Sequence, residues 1–256
     1  MTDLERAAPP AGTASLHAAY AAAYESLTFP LVTRARHELS ITLAAQPVFD
    51  LATGVPMSRR IRRCVRHTGG EAALARGRGS LEPMDLKRID LQTLKHGLDL
   101  LRLQPGDSGI VPAFWRTIAS SGGRFAILCA ELQHGAAPGA LLIEVMGGLE
   151  QAPAEAIADA VSHFETAALG AVLHVAPDLG AVRRLAGVRA RCLALDFAGV
   201  AHETARDWPD AAELIAEGRA VCDHLVLLNL RPERAKDART AGATHAVFAG
   251  LDPIRV

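Results

Sequence analysis

From residue 141 to the C-terminus the sequence repeats one unit, a short continuously apolar run followed by a run with helical period. Residues 141–146, 171–175, the run through Cys192, Leu193 and Leu195, 225–230 and 246–249 read as buried strands. Between them, Pro153 opens a helix whose Ile157, Val161, Phe164 and Ala168 line one face before Gly170 stops it. A shorter helix lies near 180–185, and 208–221 and 232–241 are helical. Strands alternating with helices are joined by crossovers long enough for parallel pairing, which makes this an α/β protein.

The first half fits the same rhythm with one exception. Residues 41–49 and 56–65 read as strands joined by a turn at Asp50, Ala52, Thr53 and Gly54, where the glycine supplies positive φ. A helix over 83–101 has Pro83 in its first turn and a stripe of Leu91, Leu94, Leu98 and Leu101. A third strand over 109–115 and a short helix over 124–132 follow, the latter with Phe125, Leu128, Cys129 and Leu132 at i, i+3, i+4 and i+7. Eight strands in roughly 220 residues predict a closed (β/α)8 barrel whose first two strands form a hairpin; a doubly wound open sheet is the competing fold.

Residues 1–36 stand apart from the barrel of 37–256. Pro9, Pro10 and Gly12 mark a leader, and Ser15 caps a helix with Leu16, Tyr20, Tyr24 and Leu27 on one face. Pro30 interrupts it, and a second short helix is expected up to Glu38. The stripe has to bury itself on the barrel or on another copy of the chain, so a homodimer is an expected assembly.

Charge and motifs narrow the function mainly by exclusion. Lys plus Arg number 27 against 28 Asp plus Glu, a net charge of -1, so no global field gathers nucleic acid or anionic membrane. The 4% aromatic content argues against a stacking platform for single strands and leaves the core to Ala, Leu, Val and Ile. Cys64, Cys129, Cys192 and Cys222 show no Cys-x-x-Cys spacing, as expected for small buried thiols in a reducing compartment. With no secretory signal and no apolar run of membrane-spanning length, a soluble cytoplasmic protein is expected. Gly69, Gly70, Gly77 and Gly79, with Arg76 and Arg78 among them, lack the ending of a P-loop and read as a loop. No His-Glu-x-x-His pair or Gly-x-Ser-x-Gly elbow occurs, and His163 and His174 fall on different elements.

A barrel of this kind carries its site at the C-terminal ends of its strands. Glu144, Asp196 and Asn229 lie there, each carboxylate having a bland alternative in capping a helix or pairing with an Arg. The densest charge feature is Arg59, Arg60, Arg62, Arg63 and Arg66, and strand alternation sends Arg60 and Arg62 to one side and Arg59 and Arg63 to the other. A guanidinium at a barrel interior or rim needs a carboxylate or an anion beside it.

Taken in order, these elements resemble an EAL domain, the cyclic di-GMP phosphodiesterase family of (β/α)8-like barrels. Gln46-Pro47-Val48-Phe49-Asp50-Leu51-Ala52-Thr53-Gly54 is similar to the family's Gln-Pro-Ile-x-Asp-x-x-x-Gly hairpin, and Leu141-Leu142-Ile143-Glu144-Val145 to its Leu-x-Leu-Glu-Ile strand. Leu169-Gly170 before the fifth strand and Gly242 before the last add to the likeness, which spans roughly residues 38 to 256. The resemblance implies two divalent ions that activate water against a phosphodiester. It also shows where this chain departs from the pattern. The metal-binding Glu of Glu-Ala-Leu falls on Arg60, an Asn ligand near Pro112, the second Glu after Glu144 on Gly147, and the paired Asp residues on Ala176 and Pro177. Ala194-Leu195-Asp196 stands for Lys-Ile-Asp, and the Glu of strand seven lands near Asn229. The expectation is a catalytically inactive EAL-like domain, with no metal and no cofactor, that works as a regulatory or scaffolding protein in bacterial signalling through an unidentified protein partner. The alternative is a non-hydrolysing receptor for cyclic di-GMP or another phosphate ligand, with Gln46, Arg60, Arg62, Glu144 and Asp196 as candidate contacts.

Overall fold

The computed structural model describes residues 26–67, 81–102, 108–134, 141–167, 169–188, 190–202, 204 and 206–250. Among these residues the strands are β1 (Ser26–Val32), β2 (Glu38–Asp50), β3 (Pro56–His67), β4 (Ser108–Phe114), β5 (Leu141–Met146), β6 (Gly170–Val175), β7 (Cys192–Asp196), β8 (His224–Leu230) and β9 (His245–Phe248). They form a single sheet in chain order, and β2 also pairs with β9 through Phe49 with Ala246 and Asp50 with His245. That pairing closes β2–β9 into an eight-stranded barrel and excludes the open sheet. The helices are α1 (Pro83–Arg102), α2 (Trp115–Ile118), α3 (Ser121–His134), α4 (Ala154–Thr166), α5 (Leu179–Arg183), α6 (Trp208–Val221) and α7 (Ala235–Ala241).

Connection length sets strand direction. From β3 to β9 every neighbouring pair is parallel, with helix between, whereas β2 is antiparallel to both β3 and β9. The β2–β3 link is a tight turn in which Asp50 Oδ1 accepts from Ala52 N at 2.6 Å and Thr53 N at 3.0 Å, and Gly54 takes φ 71°. So short a link permits only a hairpin.

The short helix expected before Glu38 is instead strand β1, hydrogen-bonded along β2 from Ser26 with Ala44 to Val32 with Glu38. β2 is long enough to give its lower edge to β9 and its upper edge to β1. Pro30 is tolerated because β1 is an edge strand, where a missing N–H breaks no inner ladder. Leu27, Phe29 and Leu31 alternate toward α1, with the Phe29 ring 4.5 Å from that of His96. The apolar stripe of residues 16–24 and the glycine-rich stretch of 69–79 lie outside the described residues.

Two apolar layers surround the sheet. Val48, Ile110, Leu142, Val172, Cys192, Ala194, Val226, Leu228 and Val247 fill the lower barrel, small and branched side chains as the aromatic-poor composition requires. Ile41, Leu43, Ile61, Ile143, Leu173 and Leu193 point outward beneath the helices, against Ile89, Leu94, Phe164 and Ile215 among others. No helix among the described residues is long and apolar enough to cross a membrane.

Helix α3 departs from its expected packing. Phe125 and Leu132 are 66% and 76% exposed, while Ile127 on another face is buried at 1%. Close approach, not apolar count, decides which face docks. A Cβ on Gly123 would stand 1.9 Å from the Thr117 carbonyl oxygen, and Gly123 N donates to Ser120 Oγ at 3.0 Å, capping the helix. Gly123→Ala is therefore expected to lower unfolding free energy by about 1–3 kcal/mol. Gly122→Ala, with nothing within 4 Å of its Cβ, is expected to raise it by about 0.4–1 kcal/mol. Urea melts of the two neighbours check the sign of each.

Candidate functional site

Register and alternation bring three sequence candidates into one inward layer. The hairpin sets Gln46 directly opposite Arg60. Parallel pairing through β4 then places Glu144 one inward position above Leu142, level with Pro112, and β6 carries His174 one inward position above Val172. Pro112 is compact, so Arg60 spans β4 and reaches β5.

The contacts are short and complete. Arg60 Nε donates to Glu144 Oε2 at 2.7 Å and Nη2 to Oε1 at 2.8 Å, a bidentate fork, while Nη1 donates to Gln46 Oε1 at 3.0 Å. His174 Nδ1 stands 2.7 Å from Glu144 Oε1. Glu144 is fully buried and Gln46 only 4% exposed. Burial alone would raise the Glu144 carboxyl, but the Arg60 charge and then His174 outweigh it and hold it at about 2.

That depression fixes a pH dependence. An unfolded Glu titrates near 4.5, so the stability tied to Glu144 is full above that pH and is lost as pH falls toward 2. The stability difference between the parent and Glu144→Gln, followed by urea melts from pH 6 to 2.5, should shrink steadily below about pH 4.5. The subtraction isolates Glu144 from Asp90, whose carboxyl burial pushes up and which therefore acts with the opposite sign.

The remaining candidates form a second tier at the mouth. Asp196 Oδ1 accepts from Asn229 Nδ2 at 2.7 Å and from Ala198 N at 2.9 Å, capping a 3-10 turn at Phe197–Gly199. Asn229 holds φ 57° where the β8–β9 register shifts between Leu228 and Leu230. Arg62 is half-buried, its pKa lowered by burial and by Arg60, while Cys64 and Asp196 act in the opposite direction. Thus Glu144 and Asp196 take the two bland roles, pairing with an Arg and capping a turn.

Alternation on β3 separates the arginines as expected. Arg63 lies on the outer side, where Nη1 donates to Asp90 Oδ1 at 2.7 Å and the guanidinium lies 4.0 Å over the Phe114 ring. Sequence reasoning missed Asp90 and the partnership of His174. The signal for His174 was its place two residues after Val172 on an inward strand face. Among the described residues, no group of three or more His, Cys, Asp or Glu side chains is arranged to hold a metal ion.

No protein-family model matches the sequence, and no curated protein matches it. Solved structures match at the level of fold. The EAL enzyme Bd1971, in its cAMP and cyclic-di-GMP bound form, is 14% identical over 81% of this chain with a TM-score of 0.59, and this chain spans only 60% of its length. The EAL domain of Mycobacterium smegmatis DcpA is 16% identical over 84% of this chain and 92% of its own, with a TM-score of 0.61. The FimX EAL domain from Pseudomonas aeruginosa, bound to c-di-GMP, is 14% identical over 80% and 87%, with a TM-score of 0.60. The barrel fold is therefore of the EAL type.

Proposed function

We propose that this chain is a catalytically inactive EAL-type barrel that works through protein contacts, as a regulatory or scaffolding protein in bacterial cyclic di-GMP signalling. The observation that carries this reading is the bidentate Arg60–Glu144 pair inside the barrel. Arg60 falls where the family resemblance puts a metal-binding Glu, so a permanent cation stands at the place of a ligand. A divalent ion at Glu144 would have to displace that guanidinium and would be repelled by it. Pro112, Gly147, Ala176 and Pro177 offer no side-chain oxygen, and Asp196 and Asn229 are bonded to each other. These donors do not fit a pair of divalent ions, and no hydrolytic step is assigned.

The same pair bears on the receptor alternative. Gln46, the residue similar to a nucleotide contact in the family, is buried beneath Arg60 and accepts a hydrogen bond from it. Arg62 at the mouth is the feature that favours ligand binding. Purified protein with cyclic di-GMP and Mg²⁺ or Mn²⁺ is expected to give no hydrolysis, and metal-dependent turnover would refute inactivity. Isothermal titration with cyclic di-GMP in EDTA is expected to be silent; heat at micromolar ligand would replace the scaffold by the receptor.

A further inference from the structure

Helix α3 turns its apolar stripe away from the core. Phe125, Leu128, Cys129 and Leu132 share one face, and the opposite face, through Gly123 and Ile127, is the one buried against the barrel. Phe125 and Leu132 are largely exposed and Leu128 and Cys129 half-buried, so a continuous apolar strip faces solvent. A single exposed leucine needs no partner, but a strip of this kind marks a contact surface. Phe125, Leu128 and Leu132 also stand at a, d and a of a heptad, the seam along which one helix packs beside another.

Charge on the two neighbouring helices decides which partner fits. α1 lies against one flank of α3, where Lys87 Nζ donates to Gly122 O at 3.2 Å. α4 lies against the other, where Arg124 Nη2 donates to Asp159 Oδ2 at 3.4 Å; Arg124 is mostly buried there and the Asp159 carboxylate stays exposed. α1 presents Lys87, Arg88, Lys95 and Asp99 to solvent, a cationic set, while α4 presents Glu155, Asp159 and Glu165 and contains no Lys or Arg. The strip therefore has one cationic and one anionic border. A second copy related by a two-fold axis parallel to α3 sets α1 of each chain opposite α4 of the other, cation facing anion. A two-fold perpendicular to α3 sets α1 opposite α1 and α4 opposite α4, which juxtaposes like charges.

Register agrees with the parallel arrangement. Both lateral contacts span 35 residues, from 87 to 122 and from 124 to 159, so Lys87 stands level with the α4 turn between Glu155 and Asp159. A two-fold parallel to the helices preserves that level, and at 1.5 Å per residue each acidic position lies about 3 Å along the axis from Lys87 of the other copy. We propose that α3 is a homodimer contact of this chain: two copies pack α3 against α3 with the helices parallel, Phe125, Leu128 and Leu132 at the dyad, and Lys87 of each facing Glu155 and Asp159 of the other. The contact lies outside the barrel and is independent of whether the Arg60 site hydrolyses a nucleotide.

Sedimentation equilibrium of the full chain is expected to show a dimer. Phe125→Ser and Leu132→Ser, at positions already wet in the single chain, should each raise the dissociation constant about tenfold or more, because every dimer loses two buried apolar side chains. Far-UV circular dichroism should stay that of the parent. Lys87→Glu should weaken the dimer, and adding Glu155→Lys should recover part of the loss, because the two charges exchange sides. Leu132→Cys combined with Cys129→Ser should form a disulfide across the dyad on mild oxidation, whereas an antiparallel pair would hold those thiols about 10 Å apart along the axis. The proposal is overturned if the parent is monomeric at every concentration reached, if Phe125→Ser and Leu132→Ser dimerise as the parent does, or if the Leu132→Cys dimer forms no disulfide.

Discussion

Arg60→Ala is expected to lower unfolding free energy by about 3–5 kcal/mol, because it strands a buried carboxylate rather than removing a surface contact. The Glu144 side chain is fully buried and that of Arg60 is 10% exposed, so water cannot take over the lost hydrogen bonds without opening the barrel. Gln46 Oε1 loses its donor at the same time. Burial is already the largest single influence on Glu144, and without the guanidinium only His174 opposes it, so the carboxyl is pushed toward protonation. The deficit of the variant relative to the parent should therefore narrow as pH falls, since the parent loses its paired carboxylate while the variant is relieved of an unpaired one. Urea melts at pH 7 and pH 4 measure both effects. Replacing the pair by Arg60→Met with Glu144→Leu should recover most of the loss, as buried ion pairs exchanged for apolar groups often do. A cost under about 1 kcal/mol for Arg60→Ala, the size of an exposed pair, would mean that Arg60 does not brace the interior. EDTA should leave the melting temperature of the parent unchanged, since the cation in this barrel is a side chain.

What could be read from the sequence divides by range of interaction. Apolar period and punctuation located the strands from β2 onward, and alternation alone assigned Arg60 and Arg62 to one face of β3 and Arg59 and Arg63 to the other. The turn at Asp50 to Gly54 was legible, but that its antiparallel register sets Gln46 opposite Arg60 came from the structure. The partners of Arg60 and Arg63 were not readable, since Glu144 lies 84 residues away and Asp90 lies 27 away on a helix. Periodicity finds a face but not the neighbour that meets it. Helix α3 shows this most directly: Phe125, Leu128, Cys129 and Leu132 have ideal helical spacing, yet the face that docks is the one where Gly123 permits contact with the α2 backbone. β1 was misread because Pro30 looks like a helix breaker until β2 is known to extend past the barrel rim and to need a partner there.

Asp90→Ala is expected to cost at least as much as Arg60→Ala, about 3–5 kcal/mol from the charge pair and about 1–3 kcal/mol more from an orphaned backbone donor. Asp90 sits on α1 with its side chain wholly buried, where it holds Arg63 Nη1 at 2.7 Å and accepts from Phe114 N at 3.2 Å through both oxygens. One carboxylate thus ties α1 to β3 and to the end of β4. Phe114 is the last residue of β4 and its N–H lies where the parallel ladder gives way to helix α2, so a side chain from α1 has to satisfy it. Loss of Asp90 leaves Arg63, whose side chain is 2% exposed, with Thr93 Oγ1 at 3.2 Å and the face of Phe114. A hydroxyl and a ring quadrupole attract the guanidinium but cannot neutralise it. Asp90→Asn separates the two contributions, because its amide oxygen can still accept from Phe114 N while the charge is gone. It should fall between the parent and Asp90→Ala in a urea melt. Hydrogen exchange at Phe114 should accelerate in Asp90→Ala and stay slow in Asp90→Asn; equal protection in both would show that the Phe114 donor does not depend on Asp90.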